Sequence, residues 1–156
     1  MRARPRILYL CTGNRCRSQM AEGWTRHLHD DRFEAFSAGL EAQGLDPRAV
    51  QVMAEVGIDI GHQRSQHVDE LAGLRFDAVV TVCGHTHTHC PVLRGAPRML
   101  HQGFGDLARL TRRLDDEEAI LAVYRQVRDS IGAWVTDLRA HLAVGDDDIY
   151  RRKEST

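Results

Sequence analysis

Apolar residues fall along this chain in two rhythms. The run Ile7-Leu8-Tyr9-Leu10 is continuously apolar, the pattern of a strand buried on both faces of a sheet. A helical pattern follows, with Met20, Ala21, Trp24 and Leu28 on one face. Residues 33–38 read as a second strand, ended by Gly39. Asp46-Pro47 marks a helix start, with Asp as N-cap and Pro in the first turn. Val50, Met53 and Ala54 form that helix's expected apolar face, and Gly57 closes it. A shorter helix is expected over residues 68–74. Residues 76–82, containing Ala78-Val79-Val80-Thr81-Val82, are the plainest strand in the chain, and residues 97–101 supply a fourth. From 115 to 143, Ile120, Val123, Tyr124, Val127, Ile131, Trp134, Val135, Leu138 and Leu142 repeat at helical spacing. Acidic residues at the start of that segment complement the helix dipole.

Strands alternating with helices predict an α/β fold: a three-layer sandwich whose four-stranded parallel sheet carries helices on both faces. Ligands in such sheets bind outside the carboxyl ends of the strands. Cys11 follows the first strand, Cys83 follows the third, and Asp106 comes shortly after the fourth. One sheet edge therefore collects all three. No repeat or linker divides the chain, so residues 1–144 are expected to form a single catalytic domain and residues 145–156 a polar tail.

Composition narrows the class. The chain has 156 residues, 42% of them hydrophobic, enough for one domain that buries roughly 70% of its unfolded surface. The net charge of −1 comes from interspersed acids and bases, unlike the clustered basic footprint of a nucleic-acid binder. No run is long enough to span a bilayer, and residues 7–10 are too short for a signal peptide. A cytoplasmic monomer is the expected state. Four cysteines, at 11, 16, 83 and 90, are few for a disulfide framework. In a reducing compartment they point to catalysis, redox chemistry or metal binding.

The segment Cys11-Thr12-Gly13-Asn14-Arg15-Cys16-Arg17-Ser18 joins the first strand to the first helix. Gly13 and Asn14 tolerate the positive φ needed to curl backbone N–H groups inward. Successive N–H groups backed by a helix N-terminus make an anion cradle. Thr12, Gly13, Asn14, Arg15, Cys16, Arg17 and Ser18 are thus the candidate oxyanion-binding residues. Arg17 can grip two oxygens of a tetrahedral anion, and Ser18 can donate to the Cys11 sulfur. Such a field favours thiolates, yet for any thiol a fall in pKa from about 8.5 to about 6 gains little. The thiolate fraction at neutral pH rises roughly thirtyfold while nucleophilicity drops about tenfold, a net gain of about two- to threefold. Positioning and charge stabilisation are the larger contributions expected of this loop.

The same residues, continued by Gln19-Met20-Ala21-Glu22-Gly23, resemble the low-molecular-weight protein tyrosine phosphatase superfamily. They look most like its thioredoxin-coupled arsenate-reductase branch, in which Thr12 and Gln19 are typical. The resemblance runs from residue 7 to about residue 142. It includes Gly57-Ile58-Asp59-Ile60, the segment from Cys83 to Cys90-Pro91, and His101-Gln102-Gly103-Phe104-Gly105-Asp106. It implies that Cys11 is the nucleophile, that Arg17 and the loop amides bind arsenate, and that Asp106 is the general acid. Leu107 and Gln102 depart from the family's usual proline and tryptophan. Some members hold a potassium ion. Asn14, Glu22 and Ser37 match three of its ligand positions, while Gln66 stands where a carboxylate would be, so at most weak potassium binding is implied and no cofactor is required. Cys16 reads as a packed thiol outside the chemistry.

Reduction of arsenate takes two electrons, which one thiol cannot supply reversibly. The resemblance implies a relay in which Cys83 attacks Cys11, Cys90 then attacks Cys83, and thioredoxin reduces the Cys83–Cys90 disulfide. If residues 83–90 are helical when reduced, their end Cα atoms are about 10.5 Å apart along the axis. A disulfide needs roughly 7 Å or less, so that segment must unwind. Gly84 and Pro91 favour such a change. His85, His87 and His89 could join the two thiols around zinc, but their spacing matches no standard zinc site and no metal site is assigned. Two other functions stay open. A phosphotyrosine phosphatase needs only Cys11, Arg17 and the acid, leaving Cys83 and Cys90 without a task. A non-enzymatic metal or metalloid binder leaves the oxyanion loop unexplained.

Overall fold

The computed structural model describes residues 4–82 and 98–143. Cys83, Cys90, His85, His87, His89 and the 145–156 tail lie outside the described residues. Strand β1 (Arg6–Cys11) is buried from Ile7 onward. It pairs in parallel with β2 (Glu34–Gly39) on one side and β3 (Ala78–Thr81) on the other. Strand β4 (Met99–His101) extends the sheet beyond β3, giving the all-parallel order β2-β1-β3-β4. The register sets Cys11 opposite Gly39 and Leu10 opposite Thr81. The expected four-stranded parallel sheet is present.

Alternation along β1 divides the core. Ile7, Tyr9 and Cys11 enter the larger cluster with Val80 and Val82. The helices α1 (Arg17–His29), α2 (Pro47–Glu55) and α4 (Glu117–Thr136) add Met20, Met53 and Ile131 to it. Leu8 and Leu10 point the other way, to Val79, Phe76 and Leu71 of a 3-10 turn at Val68–Leu71. Among the described residues, no helix is long and apolar enough to cross a membrane.

Several elements differ from the sequence reading in phase or length. In α2 the buried face is Ala49, Val52 and Met53, with Ala54 exposed. At 100° per residue, periodicity fixes a helical face only to about one residue. In α1, Leu28 is 39% exposed, and the buried line runs instead through Met20, Ala21 and Thr25. The turn at Val68–Leu71 is shorter than the expected helix, and the expected 115–143 helix is two. Asp116 caps α4 through the Ala119 N–H, and α5 (Leu138–Ala143) begins after a break at Asp137, where ψ is +23°. The short helix α3 (Leu107–Thr111) has no counterpart in the sequence reading. The Asp46 cap of α2 and the closure at Gly57, with φ +82°, are as expected.

Two contacts fix the frame around the Cys11 loop. Gly39, where β2 ends, is pressed against it. A Cβ there would stand 2.7 Å from the Thr12 oxygen, 2.9 Å from the Asn14 nitrogen and 2.9 Å from the Glu41 oxygen. Behind α2, Glu55 accepts both guanidinium arms of Arg125 at 2.8 Å and one from the buried Arg128 at 2.9 Å. The Arg125 hydrogen bonds, aided by Arg128, hold the Glu55 carboxyl at about 2 instead of its ordinary 4.5.

Two outcomes are expected. Gly39→Ala, whose clashes are all with backbone, should lower stability by about 1–3 kcal/mol in urea unfolding. A neutral fall would mean that the loop yields freely. The depressed Glu55 pKa means its stabilisation is complete above pH 4.5 and lost as pH falls toward 2. Glu55→Gln should therefore flatten the acid limb of a stability–pH curve across that window, and an unchanged limb would remove this pair from the account.

Candidate active site

The loop from Cys11 to Arg17 is shaped by where its carbonyls go. The Thr12 carbonyl accepts the Glu41 N–H at 2.9 Å, that of Gly13 accepts Gln43 at 3.1 Å, and that of Arg15 accepts Asp46 at 3.1 Å. The Asn14 carbonyl accepts the Ser65 hydroxyl at 2.9 Å and the Gln19 amide at 3.1 Å. The Cys16 carbonyl accepts the Met20 N–H at 2.8 Å, inside the first turn of α1. No peptide among the described residues is cis, so each of their N–H groups points opposite the carbonyl of its own peptide group. With the carbonyls held by surrounding donors, the N–H groups of the same peptides turn to the other side, that of Asn14 toward Cys11 Sγ and that of Arg17 toward the Cys16 sulfur.

Asn14 is the hinge of this arrangement. It is fully buried and the one described non-glycine residue with positive φ, at +49°. Its side-chain oxygen accepts the Gln66 N–H at 2.8 Å and the Gln19 amide at 3.1 Å. Gly13, expected to share the left-handed backbone, does not adopt it. A Cβ there would meet the Gln43 Oε1 at 2.5 Å, the end of an exposed side chain that can move aside.

The nucleophile candidate receives donors from two sides. The Asn14 N–H donates to Cys11 Sγ at 3.2 Å, and Ser18 Oγ lies 3.0 Å from it. The Asn14 side-chain amide donates to Ser18 Oγ at 2.9 Å. That leaves the serine proton free to point at sulfur. Cys16, five residues on, takes the Arg17 N–H but lies beside the Asp46 carboxylate. Burial first, then the neighbouring Asp46 charge, push its thiol up to about 12.

Arg17 donates to the Phe104 carbonyl at 3.2 Å, tying the cradle to the segment that carries Asp106. Asp106 caps α3: its Oδ1 accepts the Ala108 N–H at 3.1 Å and the Arg109 N–H at 3.4 Å. Leu107, which replaces the family's proline, is the buried first residue of α3. Gln102, which replaces the tryptophan, makes a local bond to Gly103. Cys11, Arg15, Arg17 and Asp106 share a cavity of about 400 Å³. Its wall also includes Gln43, Asp46, Arg48, Thr111 and Tyr124, none of them assigned to the site from sequence. Tyr124 carried a signal there: a tyrosine in an aliphatic stripe needs a partner for its hydroxyl.

The residues at the potassium positions serve one another instead. Glu22 accepts the Ser37 hydroxyl at 2.7 Å and pairs with Arg26 at 3.0 Å. The Gln66 amide donates to the Ser37 carbonyl at 3.0 Å.

The sequence profile described as low molecular weight phosphotyrosine protein phosphatase matches residues 6–145. Two curated proteins named arsenate reductase, from Halalkalibacterium halodurans and Bacillus subtilis, are each 46% identical over 126 residues, covering 81% of this chain and 88% of theirs. A solved structure titled as an arsenate reductase in the phosphate binding state superposes with a TM-score of 0.67 at 29% identity, covering 88% of this chain and 98% of that one. The matched residues take in the Cys11–Ser18 loop and the whole sheet beneath it, and the chain belongs to the low-molecular-weight phosphotyrosine protein phosphatase family.

Proposed function

We propose that this protein is an arsenate reductase. The observation that carries the reading is the Cys11 sulfur, supported by the Asn14 N–H and Ser18 and set beneath a ring of inward N–H groups, in a chain whose 46%-identical relatives bear that name. The phosphate-binding title of a similar structure agrees with a cradle for tetrahedral oxyanions.

Arsenate seats its oxygens on the N–H groups of the loop and on Arg17, which exchanges its Phe104 contact for the anion. The Cys11 thiolate attacks arsenic, and Asp106 protonates the departing hydroxide through Oδ2, since Oδ1 is engaged in the cap. The Cys83 thiolate then attacks Cys11 Sγ. The sulfur–arsenic bond breaks with its electron pair retained by arsenic, arsenite leaves, and a Cys11–Cys83 disulfide forms. Attack of Cys90 on Cys83 frees the Cys11 thiolate, and thioredoxin reduces Cys83–Cys90. The electrons come from thiols, so the cycle calls for no resident cofactor, and a reducing cytoplasm suits it. In support, the Val82 N–H bonds the Leu10 carbonyl at 3.0 Å, and Cys83 follows Val82 in sequence while Cys11 follows Leu10.

The decisive assay is arsenate-dependent NADPH oxidation with thioredoxin and thioredoxin reductase. Serine at position 11, 83 or 90 should abolish steady turnover, and Cys16→Ser should retain it. Turnover that survives Cys83→Ser would remove the relay. Only Cys11→Ser should also abolish hydrolysis of p-nitrophenyl phosphate, the residual activity that the cradle and Asp106 allow.

The two loop thiols should also separate chemically. In a Cys83→Ser/Cys90→Ser background at pH 8, iodoacetamide should label Cys11 and leave Cys16 unmodified by mass spectrometry. Equal labelling would contradict the raised Cys16 pKa.

A further inference from the structure

Asp46 places a negative charge on the wall of a cavity built for anions. It is 7% exposed and lines the same cavity as Cys11 and Arg17, where an unscreened carboxylate would repel an incoming oxyanion. Three contacts define it. Its N–H donates to the Arg15 carbonyl at 3.1 Å, its Oδ1 accepts the Arg48 N–H at 2.9 Å, and its Oδ2 accepts the Tyr124 hydroxyl at 2.6 Å. Tyr124 comes from α4, 78 residues further along, and is buried against the same cavity. Burial, reinforced by the Asp46 charge, pushes the Tyr124 hydroxyl above its ordinary range, so it remains a donor at any working pH.

We propose that Tyr124 is a positioning residue of the oxyanion site and acts through Asp46. Its hydroxyl takes up the Asp46 charge and holds that carboxylate on the α2 cap. The Asp46 N–H then stays on the Arg15 carbonyl, and the Cys16 N–H stays turned toward the anion. The pair thus links α4 to the cradle and lets a carboxylate serve as a cap without opposing the substrate. The proposal rests on reading residues 11–18 as an oxyanion cradle.

The consequence is specific to charge. Tyr124→Phe keeps the ring and its packing but leaves Oδ2 of a buried carboxylate without its donor, free to turn toward the bound anion. Asp46→Asn removes the charge while retaining a cap acceptor and the backbone N–H. The neutral residue should therefore repair what the missing hydroxyl breaks.

The test is calorimetric titration of the full-length protein with inorganic phosphate at pH 7.5, alongside thermal unfolding. Tyr124→Phe should weaken phosphate binding at least fivefold and about tenfold, the scale of one hydrogen bond to a charged group. The Asp46→Asn/Tyr124→Phe double variant should recover at least half of that loss on a logarithmic scale, whether or not Tm recovers. Tyr124→Phe with less than fivefold loss, or a double variant that recovers less than half, overturns the proposal. Wild-type protein that fails to bind phosphate overturns the oxyanion-site reading as well, which separates the two failures.

Discussion

The structure around Cys11 depends on five consecutive carbonyls, from Thr12 to Cys16, being held outward. A chain that curls around an anion must turn its N–H groups in, and a planar trans peptide then forces the carbonyls out. A carbonyl left unpaired and cut off from water costs about 1–3 kcal/mol. The fold supplies a donor for every one: three backbone N–H groups from residues 41–46, the Ser65 hydroxyl, the Gln19 amide and the first turn of α1. The anion site is the other side of that accounting.

This constraint explains features that do no chemistry. Residues 40–46 must lie close enough to donate, so β2 ends at a position where Gly39 touches the backbone of Thr12 and Asn14. Asn14 must hold left-handed backbone, at a cost for most residues of about 1 kcal/mol or more. Four hydrogen bonds to its two oxygens, from Gln19, Ser65 and Gln66, hold it there. Gln19 is itself fixed by Gln63 at 2.9 Å. The same demand accounts for Gln66: its backbone supports Asn14 and its side chain supports Ser37, a role for which an amide donor is suited and a carboxylate is not.

The parallel sheet and the loop were legible in the sequence because they rest on local signals. A continuous apolar strand, the Asp46-Pro47 cap and the Cys11–Ser18 spacing are each readable within a few residues. Features that depend on contacts between distant segments were not readable. The face of α2 is set by where α4 docks, and the break at Asp137 sits inside an unbroken helical pattern. Helix α3 is too short for periodicity to register. Within the site, Cys11, Arg17, Ser18 and Asp106 were legible in the sequence; Cys11, Arg17 and Asp106 line one cavity, and Ser18 lies buried against the Cys11 sulfur. Asp46 and Tyr124 were seen only as a cap and an apolar position, since a hydrogen bond spanning 78 residues leaves no local trace.

Two cysteines five residues apart show how much of the chemistry is environment. Cys11 ends a buried strand beneath an N–H donor and a serine whose oxygen is already satisfied by Asn14. Cys16 sits in the last turn of the same loop, buried beside Asp46, with its thiol raised to about 12. The helix behind the loop is common to both, so its dipole cannot be what separates them. At Cys16, burial first and the facing carboxylate second outweigh the Arg17 N–H, whereas Cys11 receives the Asn14 N–H and lies against Ser18. A relay that passes oxidation from one sulfur to another needs every off-path thiol nearby to stay protonated, because a second thiolate in the loop would compete to attack the arsenic adduct. Burial supplies most of that protection for Cys16, and the Asp46 carboxylate adds to it by further disfavouring the thiolate.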